Sequence, residues 1–259
     1  MPTPDAKQPP VPHSGPPGPI TSLDDPRAIQ ILSTEHWSLL GARSLAYNEA
    51  FVRGGMFLTF LSMSFVALGI LAQATGYGQD FVGLAVLVLS FDFVIGLATY
   101  LRILGANVDD LHAVHGMARI RHGYTEIGPI LERYFTTPTH DDPESMLGAY
   151  RRPSHEDLPS GLLYGLTTSG GMVGLIVSMV AGVLTASAAF LVEMEPGHAA
   201  IVGVLGGIAT FGGMTAYSVP VLRRELAALV AEFPAPTDVR TDIAEELQGV
   251  RRVGVVDAP

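Results

Sequence analysis

Cysteine is absent from the 259 residues. That excludes disulfides and thiolate-based zinc or iron–sulfur sites, and it fits a reducing compartment. Charge is scarce as well: 15% of the residues are charged, against about 25% in a typical soluble domain. Lysine is nearly missing, with Lys7 the single lysine among the 15 basic residues. No Walker loop, G-x-S-x-G elbow or H-E-x-x-H helix occurs. Nucleotide hydrolysis, serine-hydrolase and zinc-protease chemistries therefore lack their usual carriers. A formal net charge of -10 argues against nucleic acid as a partner. No enzymatic activity, cofactor or metal is expected.

What the chain does have is apolar length. Hydrophobic residues make up 48% of it. Apolar stretches at 55–74, 81–101, 163–192 and 199–222 each reach the roughly 20 residues that cross a 30 Å hydrocarbon core. The expected fold is an all-α membrane protein, with four transmembrane helices as two tandem hairpins, 55–101 and 163–222, plus cytoplasmic amphipathic helices. All the basic residues then fall on one side, because the short opposite connections, near 73–80 and 193–198, have none. The positive-inside rule places both termini and the 102–162 connection in the cytoplasm, which reads as a multi-pass protein of the cell (plasma) membrane. Membrane lipids are its expected surroundings.

Residues 1–23 are proline-rich and read as a disordered, polyproline-like tail without a secretory signal. A helix is expected over 24–54, where Asp24, Asp25 and Pro26 supply the acids and first-turn proline of a helix start. Trp37, Leu40 and Phe51 give it an apolar side, and Glu35, Arg43, Glu49 and Arg53 a polar one. It reads as an amphipathic helix lying against the membrane or the other cytoplasmic elements, with Trp37 at headgroup level. Another helix is expected after the second span, up to Gly128 and Pro129, and HDDPES at 140–145 marks a turn and a new helix start. Residues 151–160 read as a linker. In the cytoplasmic 223–259 segment, RRELAALVAEF is expected to stay helical until PAPTD at 234–238, and a short acidic helix closes the chain over 240–249.

The spans echo one another. Gly54-Gly55-Met56 with Ser62-Met63 matches Gly170-Gly171-Met172 with Ser178-Met179, and Gly96 to Tyr100 echoes Gly213 to Tyr217. A parallel tandem repeat produces such a pattern.

One residue interrupts the oil. In LVLSFDFVIG, residues 87–96, Asp92 stands without a charged neighbour. An ionised carboxylate at the centre of a span costs about 2.5–3.5 kcal/mol on insertion scales, so it avoids lipid. Ala85, Gly96 and Thr99 share its helical face, and the first span offers a stripe of Gly55, Thr59, Ser62, Gly69 and Gln73. Two readings follow. Asp92 is a neutral acid bonded to Ser62 or Thr59 as packing glue, or it is a proton or cation site with Ser62, Thr59 and Thr99 around it. Small residues such as Gly174, Ser178, Ala181 and Gly207 in the last two spans let backbones meet closely, and they point to a homo-oligomer.

His112, His115 and His122 lie on one expected helix behind Asp109 and Asp110, but Arg119 among them repels a cation, so a histidine-rich helix face is the simpler reading. The polar set Glu35, Arg43, Glu49, Arg53, Arg102, Arg119, Arg121 and His122 reads as a salt-bridge network fastening cytoplasmic helices to the bundle. Glu35-His36-Trp37-Ser38-Leu39-Leu40, Asn48-Glu49-Ala50-Phe51, Leu97-Ala98-Thr99-Tyr100, Arg121-His122 and His140-Asp141-Asp142 resemble a family of uncharacterised bacterial four-span integral membrane proteins of actinobacterial type. The likeness covers about 28–145. It implies the four-span fold and no activity, and that family's second span is apolar where this chain has Asp92. The expectation is a non-enzymatic membrane protein forming a homo-oligomeric channel-like or scaffold assembly. The alternative is a small proton- or cation-coupled transporter using Asp92.

Overall fold

In the structure, a computed structural model describing residues 18–150 and 168–236, Asp25 opens the first helix. Its carboxylate accepts the Arg27 amide at 2.9 Å, and Pro26 takes the first helical position, where a missing N–H is no loss. Helix α1 then runs unbroken over Pro26–Thr75 and ends at Gly76, whose φ of 70° suits glycine. Helix α2 spans Gln79–Ile127 until Gly128 and Pro129 stop it, and a short 3-10 helix follows over Pro129–Tyr134. Helix α3 covers Pro143–Tyr150, α4 Ser169–Leu191 and α5 Pro196–Ala228. Between α4 and α5, Glu193 adopts a φ of 60° as the chain reverses. Among the described residues there is no strand. The all-α expectation therefore holds, and α1, α2, α4 and α5 are each long and apolar enough to cross a membrane. Residues 1–17 of the proline-rich tail, the 151–160 linker and the 240–249 helix lie outside the described residues.

Two features differ from the sequence reading. A helix at 24–54 followed by a span is a single helix, α1, and a span followed by a helix after 102 is likewise a single helix, α2. No proline falls inside either after the first turn, so nothing breaks the backbone ladder. At 50 and 49 residues they are about 75 Å long, more than twice a 30 Å hydrocarbon core. Some 40 Å of each projects beyond the apolar zone as a helical head. Trp37, eighteen residues before Gly55, stands roughly 27 Å beyond that zone, too far for the headgroup layer. The second difference is at the chain's other end, where α5 stops at Ala228 rather than near Phe233.

Helix α2 is central: α1 packs along it, α4 packs on it, and α5 packs on α4. In the apolar zone Phe57, Leu61, Leu89, Ile103 and Val177 are buried together. In the head, Leu111, Val114, Met117 and Met146 form a second cluster against Leu39, Leu226 and Leu229. Glycines set the close approaches. A Cβ on Gly203 would lie 2.8 Å from the Gly182 carbonyl, and one on Gly207 would lie 3.0 Å from that of Ser178. The glycine stripes of the last two spans are therefore spent on each other, inside the protomer. The internal echo does not give equal elements: Gly54 lies midway along α1, whereas Gly170 is in the first turn of α4.

Candidate functional site: a buried aspartate and a polar head

Helix α2 presents Ala85, Leu89, Asp92, Gly96 and Thr99 at three- and four-residue spacing, all buried. Helix α1 answers with Phe57, Leu61, Ser64, Leu68 and Ala72. Asp92 is fully enclosed between them, at 0% exposure. Ser64 Oγ donates to Asp92 Oδ1 at 2.9 Å, and Asp92 Oδ2 has no hydrogen-bond partner among the described residues. Ser64 thus takes the place expected for Ser62 or Thr59. Both of those are exposed and turn their hydroxyls back on the Leu58 and Gly55 carbonyls, at 2.8 and 2.9 Å. The Gly55, Thr59, Ser62, Gly69 and Gln73 stripe faces outward, because one residue of register rotates a helix face by about 100°. Thr99 is buried on the Asp92 face and bonds the Ile95 carbonyl at 2.8 Å, without reaching the carboxylate. One turn on from Asp92, a Cβ on Gly96 would come within 2.7 Å of Val177 Cγ2 and 2.8 Å of Phe57 Cζ. Helices α1, α2 and α4 therefore meet there. Asp92 lies inside the protomer and not on an outer face. The signal for Ser64 was available: positions 57, 61, 64 and 68 continue the apolar 3-4 rhythm of α1.

The head is held by carboxylates. Nearest the apolar zone, Glu49 accepts from Arg102 Nη2 at 2.7 Å and Arg102 Nε at 3.1 Å, and from Arg53 Nε at 2.9 Å. The Arg102 and then the Arg53 hydrogen bonds hold its carboxyl down to about 2. Further out, Asp110 is buried, ion-paired with Arg43 and bonded by the Tyr150 hydroxyl at 2.9 Å. Burial, with the Asp110 charge behind it, pushes the Tyr150 phenol well above its usual range.

Asp141, at 0% exposure, fastens the chain beyond α5. Its Oδ2 accepts Arg119 Nε at 2.7 Å and the Glu232 amide at 2.9 Å, and its Oδ1 accepts the Phe233 amide at 2.8 Å. Asp142 accepts the Ala235 amide at 2.9 Å and caps α3 through the Ser145 amide at 3.0 Å. These bonds replace the helical ones and explain why α5 stops early. Burial would raise the Asp141 carboxyl, but the Glu232 amide, Arg119 and the Phe233 amide outweigh it and hold it below its ordinary value. His115 Nε2 lies 3.4 Å from Asp141 Oδ2, and burial followed by the Arg119 charge lowers the His115 imidazole. His122 stacks on Phe233 with ring centroids 4.3 Å apart.

The expected polar set is therefore three groups rather than one network: Glu49 with Arg53 and Arg102, Arg43 with Asp110, and Arg119 with Asp141. His122 joins the third by stacking. Arg121 is half-buried, bonds the Pro138 carbonyl at 3.4 Å and has no carboxylate partner among the described residues. Burial, then the Arg43 charge, lowers its guanidinium. Glu35 is exposed and forms no ion pair among the described residues. The three acids that organise the head, Asp110, Asp141 and Asp142, read from sequence only as local turn or helix-face chemistry. Among the described residues no group of three or more His, Asp or Glu side chains is placed to hold a metal.

A helical bundle with four membrane-length apolar helices and a polar head on the far ends of two of them defines the class. No protein-family model, curated protein or solved structure matches the chain.

Proposed function

We propose that the chain is a non-enzymatic, multi-pass protein of the cell membrane that serves as a homo-oligomeric scaffold. Its four spans are read as two tandem hairpins, with both termini and the head in the cytoplasm, where the arginines lie. The resemblance to bacterial four-span membrane proteins belongs to the same reading. The observation that carries it is the continuity of α1 and α2 from the apolar zone into the head. A load on the head passes to the bundle through unbroken helix, and Asp110 and Asp141 lock the head's pieces to those two helices. Asp92 supports a scaffold over a pore between subunits, since it is enclosed within one protomer.

A second reading, a small proton- or cation-coupled transporter, is favoured by one observation: Asp92 is a buried carboxylate with one oxygen unpartnered among the described residues. The two readings part in liposomes under a pH gradient, with wild type and Asp92→Asn side by side. Asn keeps the Ser64 hydrogen bond but cannot ionise. The scaffold predicts equal dye signals, at the level of empty vesicles. Flux in wild type that vanishes in Asp92→Asn would overturn it and establish the transporter.

A further inference from the structure

The face of α1 that α2 does not cover has a pattern of its own. In the head, Trp37, Leu40, Ser44, Tyr47 and Phe51 follow one another at spacings of three and four, and all are exposed. In the span, Gly55, Leu58, Ser62, Phe65 and Gly69 take up the rhythm again after one added four-residue step from Phe51 to Gly55, and again all are exposed. On either side of that step the 3.5-residue repeat is the seam of a left-handed coiled coil, and the step itself is a stutter that locally unwinds it at the edge of the apolar zone. Trp37 is 70% and Phe51 79% exposed. Phe51 falls at headgroup level, but Trp37 lies roughly 27 Å beyond the apolar zone, where no lipid covers it, and an aromatic side chain so exposed there belongs at an interface.

We infer that this stripe is the seam along which α1 pairs with α1 of a second copy, in a parallel, two-fold dimer running from the head through the membrane. The inference rests on the homo-oligomer reading and names its interface. Three observations select a second copy. First, the occupant must follow the stripe across the edge of the apolar zone. It is therefore a membrane-crossing helix that continues some 25 Å outside, and α1 is such a helix. Second, the membrane fixes direction and depth, so each seam position of α1 meets itself in a second copy. The seam contains no charged residue to repel its twin. Small positions also interrupt the large ones along it: Leu40 and Tyr47 flank the gap left by Ser44, and Gly55 and Ser62 flank Leu58. Third, the area suffices. With aromatic side chains offering about 150–250 Å² each, the exposed parts of Trp37, Tyr47, Phe51 and Phe65 supply on the order of 1,000 Å² from two copies. Leu40 and Leu58 bring the total to the size of a specific interface, about 1,200–2,000 Å². The glycine stripes of α4 and α5 are already used within the protomer, which leaves the seam to α1.

The absence of native cysteine makes the test direct. A disulfide needs Cα atoms within about 7 Å, so Ser44→Cys in the head and Ser62→Cys in the span should each give a cross-linked dimer in oxidised membranes. Ser38→Cys, exposed but about 120° round the helix from Ser44, should not. Phe51→Glu should abolish both cross-links while helix content by circular dichroism is retained, because Phe51 is 79% exposed in the protomer. Mass measurement of the wild type in nanodiscs separates the failures. A monomer would overturn the seam and the homo-oligomer together. An oligomer in which Ser44→Cys cross-links no faster than Ser38→Cys would overturn the seam alone.

Discussion

Replacing Asp141 by Asn tests whether the head is held as the geometry indicates. Asn retains one acceptor oxygen and turns the other into a donor. In the native head, Arg119 Nε and the Glu232 and Phe233 amides all donate to this side chain. The remaining oxygen still takes the Phe233 amide, while the new amide group faces the Glu232 N–H and the guanidinium. An unsatisfied buried donor costs about 1–3 kcal/mol. The lost ion pair adds on the order of 1 kcal/mol, kept small because the Arg119 side chain is 39% exposed and screened by water. A local loss of about 3 kcal/mol corresponds to roughly 10²-fold in an opening equilibrium. Amide hydrogen exchange in nanodiscs should therefore show Glu232 and Phe233 exchanging about 100-fold faster, with amides near Asp92 unchanged. Exchange within twofold of wild type at both positions would refute the reasoning. The same segment should loosen in acid in two stages. Both His115 and Asp141 have depressed folded values, so each contributes stability at high pH that is lost as pH falls. His115 acts first, because its unfolded imidazole begins to take a proton near pH 6.5. Asp141 follows below its ordinary value of about 3.9.

Two further substitutions probe the packing. Gly96→Ala places a methyl group against Val177 and Phe57 and should cost about 1–3 kcal/mol by overpacking. Gly83→Ala, on the same helix with nothing within 4 Å, should instead stabilise by up to about 1 kcal/mol, and thermal unfolding in detergent that moves both variants in the same direction would contradict the model of the three-helix contact. Gly207→Leu should lower the melting temperature by forcing α5 from the Ser178 carbonyl, with the particle mass unchanged. A change of mass without loss of stability would return the glycine stripe to an intersubunit role.

The class of the protein was legible before any contact was known. Apolar length against bilayer thickness yields four helices fit to cross a membrane, and this follows from composition because burying bare backbone in hydrocarbon leaves few alternatives. The start of α1 at Asp25 and Pro26 and the end of α2 at Gly128 were also legible, because caps and breakers act locally. That Asp92 shares a face with Ala85, Gly96 and Thr99 followed from helix periodicity. Which partner meets it did not. Ser62 and Ser64 differ by two residues in sequence, which is about 200° of helix, and only the packing of α1 on α2 selects Ser64. The same limit applies in the head. HDD at 140–142 has a turn signature whatever it touches, and the amides it accepts come from residues 232, 233 and 235. A contact across some ninety residues of chain leaves no periodic trace, so tertiary structure alone decided that Asp141 ends α5 and fastens its tail to α2.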